Sequence, residues 1–275
     1  MFKVKFSDKA PTLISALALL ALAPALSSCK PPANKAETAP ASGAEMALTG
    51  TQSSDTYKVT FNLPERVRAF PELHSALLAG LKTTNADFIA TAEKDHKDFK
   101  AEGPSEYPMM AYELDTTYTL EHETPRLLSL AVASYVNTGG AHPNHGTTGY
   151  LWDKTTKAPI ALKSIFKPGA DFNTLEKRLC QEVEAQRSQR LGEPVKQDET
   201  FACPKIAESN FVLTPAVDGK TAGGLTFLFS PYEVGSYAEG DYEVTLSADQ
   251  LKSVLAPAYA PEFGGQPKPR KQPGA

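Results

Sequence analysis

Cysteine is scarce in this chain, with three residues in 275, and no Cys-x-x-Cys pair or histidine at ligand spacing accompanies them, which argues against a thiolate metal site. No Gly-x-Ser-x-Gly elbow is present, so serine hydrolase chemistry lacks its usual signature, and the scattered carboxylates define no acid/base pair. The apolar run Leu13 to Leu22 falls short of the ~20 residues that a membrane-spanning helix needs. No cationic stripe crosses the body: the formal charge is −4, and the leader carries Lys3, Lys5 and Lys9 against Asp8, which leaves −6 once it is removed. An acidic body excludes nucleic acid as a bulk partner and suits a cationic protein ligand through steering. No internal repeat is visible.

What is present begins with an export signal. Lys3, Lys5 and Lys9 precede the short apolar core, and Leu26-Ser27-Ser28-Cys29 closes it as a lipobox. The expectation is a bacterial lipoprotein: residues 1–28 removed and Cys29 acylated, palmitate included, since two or more acyl chains hold a soluble body on a membrane stably. Lys30 stands where an aspartate would favour inner-membrane retention, which points to the periplasmic face of the outer membrane. Residues 29–54, rich in Pro, Ala, Ser and Thr, cannot bury enough surface to fold and form a tether, spanning roughly 25 to 30 Å as a coil. Residues 261–275, with Lys268, Arg270 and Lys271 among prolines, read as a disordered basic tail. With Cys29 assigned to lipid, Cys180 and Cys203 pair naturally as one disulfide outside the cytoplasm; two free thiols or half of a metal site are the alternatives.

The intervening stretch is enough for one large domain or two small ones. Tyr57, Val59, Phe61 and Leu63 alternate as a strand that Pro64 ends. Leu73, Leu77, Leu81, Phe88, Ala92 and Phe99 lie at helical spacing, and Met110, Tyr112, Leu114 and then Leu128, Leu130, Val132 alternate again. This predicts two antiparallel strands with a packed helix. Tyr150 to Leu162 is a hairpin about a polar turn, and Asp171 caps a helix buried along Leu175, Leu179 and Val183 that stops near Gly192. Leu225, Phe227 and Phe229 make the strongest strand, and Ser247-Ala248-Asp249-Gln250 is a capping box after a last strand, Tyr242 to Leu246. Strands and helices interleave without βαβ spacing, so the fold class is α+β.

Two segments carry the functional information: Tyr135-Val136-Asn137-Thr138-Gly139-Gly140-Ala141-His142-Pro143, and Phe229-Ser230-Pro231-Tyr232-Glu233-Val234-Gly235-Ser236-Tyr237-Ala238-Glu239-Gly240. On these motifs, in this order, residues 55 to 257 resemble the PdaC/RsiV-like family. The resemblance implies a two-part module of antiparallel sheets with packed helices, a PdaC-like part over 55–135 and an RsiV-like part over 136–260. Such modules occur in the external part of lysozyme-sensing anti-sigma factors and ahead of a peptidoglycan deacetylase domain. The Thr-Phe-Asp-Asp metal motif of that deacetylase is missing from this sequence, as is a transmembrane segment leading to a sigma-binding part.

Physically, Gly139-Gly140 permits positive φ and a sharp turn, and His142 before Pro143 is held extended. Tyr135, Gly139, Gly140, His142, Tyr232, Glu233 and Tyr237 are therefore the candidate binding residues, the tyrosines as low-entropy anchors for a protein or glycan surface. The competing role for the same residues is internal, with His142 bonded to Glu233 or a backbone carbonyl. His142 and His145 are weak metal candidates, because their spacing lacks helical geometry and no third ligand is marked; His74, His96 and His122 fall in charged stretches read as solvated. The resulting expectation is a non-catalytic envelope module without a cofactor, anchored by lipid, that recognises a protein, a lysozyme among the candidates, or a peptidoglycan-related glycan. A metal-dependent glycan hydrolase or deacetylase using His142 and His145, and a purely structural lipoprotein, remain as alternatives.

Overall fold

Alternating apolar residues build a sheet that is buried on both sides at its centre. The structure, a computed structural model, describes residues 46–103, 105 and 108–270; the leader, Cys29 and residues 30–45 lie outside the described residues, whereas residues 49–53, expected to belong to the tether, form a paired strand, so the expected tether boundary at residue 54 is too late. Strand β1 (Thr49–Ser53) pairs antiparallel with β2 (Tyr57–Asn62). Helix α1 (Pro71–Ala101) follows, with proline in its first turn, where no intrahelical N–H is lost. The chain returns through β3 (Tyr112–Glu123), then β4 (Leu127–Asn137), β5 (Asn144–Asp153) and β6 (Ala158–Ile160) as an antiparallel meander. The sheet order is β1-β2-β3-β4-β5-β6. Successive side chains on β4 point to opposite faces. Leu128, Leu130 and Val132 pack with Leu73, Leu77 and Leu81 of α1, while Leu127 enters a second core.

That second core belongs to helix α2 (Asn173–Leu191), the sheet β7 (Asn210–Pro215), β8 (Ala222–Phe229), β9 (Tyr242–Ser247), and the short helix α3 (Ala248–Leu251). Every residue of β8 is buried, as expected for a central strand covered on both faces. Leu175, Leu179 and Val183 of α2 meet Phe211, Phe227, Val244 and Leu246 there, each large side chain contributing about 1.5 to 3 kcal/mol by burial. The two sheets touch closely. Leu213 N donates to Ser129 Oγ at 3.0 Å, and a Cβ at Gly149 would lie 1.8 Å from Phe211 O, so glycine is required at that crossing.

The α+β class, the hairpin over 150–162, the Ser247 capping box and the Gly192 stop are all seen. Asp171 does not cap α2 as expected: Phe172 holds the N-cap position without a side-chain cap, and Asp171, one residue earlier, accepts from Asn173 N through Oδ1 at 2.9 Å. Other expectations need correction. β2 and β3 are parallel neighbours joined across α1, so one βαβ crossover does exist, with Tyr57 opposite Tyr112. β3 starts at Tyr112, and Met110 is 71% exposed rather than part of the alternation. The first sheet runs to Ile160, across the subdomain boundary expected at 135/136, because β5 pairs along the length of β4. His74, His96 and His122 are buried, bonded through Nε2 to the carbonyls of Ala47, Met110 and Thr221.

Residues 261–270 of the expected basic tail pack on the fold, and residues 271–275 lie outside the described residues. Gly264 N donates to Ala222 O, Val217 N to Gln266 O and Lys268 N to Pro215 O, so an extended chain without a core of its own is held by main-chain bonds at the β7–β8 turn. Arg270 then bridges Glu243 on β9, at 3.0 Å, and Glu121 on β3. Cys180 on α2 and Cys203 form the disulfide, across a sequence separation of 23. It holds the segment whose Gln197 donates to Val234 O and accepts from Arg187. Reduction, or Cys203→Ser, is expected to lower stability by about 3 kcal/mol, seen as a lower urea midpoint under reducing conditions.

Candidate functional site

One motif segment leaves β4 of the six-stranded sheet and the other leaves β8 of the three-stranded sheet, and the two meet. The Gly139–Pro143 loop joins β4 to β5; the second segment follows β8. Ser230 pins them, its Oγ accepting from Thr147 N at 3.0 Å. Gly139 takes positive φ (73°), with its N–H on Asn137 Oδ1, whereas Gly140 does not need positive φ, so one glycine rather than two makes the turn.

Pro143 O is the centre of the contact. Tyr237 Oη donates to it at 2.8 Å and His142 Nδ1 at 2.9 Å, which leaves His142 Nε2 as the unprotonated ring nitrogen. The His142 ring stacks on Tyr237 with centroids 4.0 Å apart and 27° between planes. Tyr232 lies 5.8 Å from Tyr237 by centroid, and its hydroxyl approaches His142 Nε2 at 3.5 Å. His145 meets Tyr237 edge-on and its Nε2 contacts Asp241 Oδ2 at 3.2 Å. Tyr135 sits opposite His145 in the β4–β5 register and is 39% exposed. His142 is exposed, Tyr237 half-buried, and Tyr232 50% exposed.

Tyr232 has φ 73°, the left-handed region that a side chain with a Cβ enters at a cost. The turn fixes it there, Tyr232 N donating to Gly235 O and Glu233 N to Ser230 O. Glu233 does not bond His142. Desolvation pushes its pKa up to about 7, against the pull of the Ser230 backbone, with the like charge of Asp241 adding to the rise; the residue is exposed, so water screens part of this. Asp241 Oδ1 is buried without a hydrogen-bond partner.

Beneath the rings lies a group of residues that sequence reasoning missed. Glu239 receives Arg187 Nε at 2.8 Å and Nη2 at 3.1 Å, Tyr242 Oη at 2.9 Å and Ser236 N at 2.7 Å. Both partners of this ion pair are buried, and the Arg187 guanidinium holds the Glu239 carboxyl down at about 2. A signal was available: Ser236-Tyr237-Ala238-Glu239 has capping-box spacing, and the box forms. Arg187 and Asp241 had no comparable marker. Of the seven candidate binding residues, His142, Tyr232 and Tyr237 meet directly, Gly139 shapes the loop that carries His142, and Tyr135 stands opposite His145 in the β4–β5 pairing.

Among the described residues, no group of three or more His, Cys, Asp or Glu side chains is arranged to hold a metal ion, and His142 and His145 are engaged by Pro143 O and Asp241. Two open hollows lie elsewhere, one beside Thr174 and Arg178 of α2 and one beside Met46 and Thr49. No helix among them is long and apolar enough to cross a membrane.

Residues 51–145 match the family described as Deacetylase PdaC, and residues 163–249 the family described as Protein of unknown function (DUF3298). A DUF3298 family structure from Bacteroides fragilis superposes with a TM-score of 0.55 at 17% identity, covering 78% of this chain and 94% of its own. Another from Pseudomonas aeruginosa gives 0.50 at 16% identity, covering 79% and 94%. These similarities concern the fold alone. No curated protein matches the chain. The chain thus carries a segment that matches the PdaC family followed by one that matches the DUF3298 family, in the order in which the two motifs stand.

Proposed function

We propose that this protein is a non-catalytic, lipid-anchored binding module of the bacterial envelope, tethered through Cys29 at the periplasmic face of the outer membrane. It presents residues 135–146 and 230–241 to a protein or wall-glycan partner. One observation carries this reading: Tyr232 is held half-exposed in a left-handed backbone conformation. Tyr232 touches Tyr237 and His142 yet leaves half of its surface to solvent, and backbone strain of this kind collects where a side chain is presented to a ligand. Tyr237 fits the other role weighed for these residues, since its half-buried hydroxyl bond to Pro143 O ties the two loops, and it stands in the same short helical turn as Glu239, which pairs with Arg187.

The membrane contact in this reading is the lipid and not the fold. Mass spectrometry of the mature amino terminus tests it: diacylated or triacylated Cys29 supports the anchor, and an unprocessed Met1 overturns it. Binding is tested by calorimetry against lysozymes and soluble muropeptides. Saturable binding to either class supports the module, and no binding to both removes it.

A further inference from the structure

We propose that the groove filled by residues 264–270 is a peptide-binding site that this segment occupies in cis, and that it takes in trans an extended segment of a partner protein carrying the same pattern, proline with arginine three residues on. The proposal stands apart from the motif-loop reading. The segment lies past residue 249, where the DUF3298 match ends, and it is held as a bound peptide is held. It runs antiparallel to the end of β7, the outer strand of its sheet, with Pro267 opposite Ala216. Gly264 N donates to Ala222 O at 2.9 Å, Val217 N to Gln266 O at 2.9 Å and Lys268 N to Pro215 O at 2.8 Å, while Thr221 Oγ1 donates to Gly264 O at 2.8 Å. Main-chain bonds of this kind at a sheet edge hold an extended chain whatever its side chains.

The groove has a shaped floor and a selective end. A Cβ on Gly223 would lie 2.6 Å from Pro267 Cα, so only glycine lets the segment come this close. Thr221 is fixed from the other sheet, its carbonyl bonded to His122 Nε2 of β3. At the end Glu243 of β9 takes Arg270 Nε at 3.0 Å and Nη2 at 3.3 Å, and Glu121 of β3 takes Nη1, so two sheets supply one guanidinium site. A planar fork held by two carboxylates selects arginine over lysine. Pro267 and Arg270 are half-buried, whereas Gly265, Gln266, Lys268 and Pro269 are exposed, so two anchors set the pattern. Phe263 packs against the second core and marks where the segment begins; beyond it Pro267 is the sole apolar anchor, and peeling the chain away uncovers little apolar surface. Left empty, the groove would keep two acids side by side, which favours exchange of one arginine for another over an open site.

The test uses the full chain carrying Arg270→Ala, which weakens the occupant in cis, and a fluorescent synthetic peptide of residues 263–270, amidated at its end. Saturable binding of this peptide to the variant is expected. The same peptide carrying Arg270→Ala should bind at least about tenfold more weakly, and so should the unaltered peptide to the parent chain, whose own segment competes at an effective concentration of order millimolar. Adding Glu121→Gln and Glu243→Gln to the variant should remove the preference for arginine. No binding to the variant, or equal binding of the two peptides, overturns the proposal. Should Arg270→Ala fail to fold, amide exchange of the parent chain decides. The amides of Gly264, Val217 and Lys268 are expected to exchange by local opening at least about tenfold faster than those of Leu225 and Phe227 in β8. One common rate for both sets would make the segment an integral part of the fold and overturn its role as an exchangeable occupant.

Discussion

Glu239→Ala is expected to destabilise the protein by about 3 to 5 kcal/mol, the usual cost of stripping one partner from a buried ion pair. The side chain is 5% exposed and receives four bonds, two from Arg187, one from Tyr242 and one from the Ser236 backbone. Alanine would leave the Arg187 guanidinium buried with Gln197 as its remaining bonded partner. Urea unfolding measures the loss, and a loss below about 1 kcal/mol would show that the motif segment is held by something else. The acid limb carries the same information. Folding depresses the Glu239 pKa to about 2, so its contribution is complete above the ordinary carboxylate range and is lost as the pH falls through about 2. A shift of this size corresponds to about 3 kcal/mol, in line with the mutational figure. Glu123, clamped by Arg66 and Lys154 and likewise held at about 2, acts over the same window. The Glu239→Ala variant should therefore lose less further stability than the parent between about pH 4.5 and pH 2.

Asp153→Ala is expected to cost about 3 kcal/mol or more, because the carboxylate is wholly buried and ties three segments together. It receives Arg126 Nε at 2.9 Å and Nη2 at 2.7 Å, and the N–H groups of Thr155 and Thr156 that shape the β5–β6 turn. Arg126 in turn donates to Ala258 O and stacks over Tyr259, and its backbone N–H reaches Glu262. Amide exchange should accelerate both at 153–157 and at 258–263. Asp153→Asn, which keeps an acceptor for the turn, should lose roughly half as much. Exchange changes confined to the turn would contradict the link to the C-terminal segment.

Local signals in this sequence were legible where one residue decides a local geometry. Gly192 ends α2 with φ 75°, Ser247 and Gln250 close their box, and the alternation from Leu225 to Phe229 marks the central strand. Partners distant in sequence were not legible. The parallel pairing of Tyr57 with Tyr112 depends on a crossover of some fifty residues, which no local spacing reveals. The buried histidines bond to backbone carbonyls, and a carbonyl leaves no trace in residue identity. Prolines and lysines made 261–270 look disordered, yet its main-chain bonds to Pro215, Val217 and Ala222 and the Arg270 bridge need no apolar side chains. The motif loops meet although they leave strands of two different sheets, and the left-handed φ of Tyr232 has no sequence signature, since glycine or asparagine is the usual occupant.

That conformation offers the most direct test of the central claim, that the two motif segments form a surface built to bind. Thermal unfolding and ligand titration of Tyr232→Gly should be measured side by side. Glycine relieves the backbone strain, so the melting temperature should hold or rise, by an amount corresponding to up to about 1 kcal/mol, while binding to lysozyme or muropeptide is lost. A melting temperature lowered by several degrees with binding intact would instead make Tyr232 a strut of the fold and contradict the account.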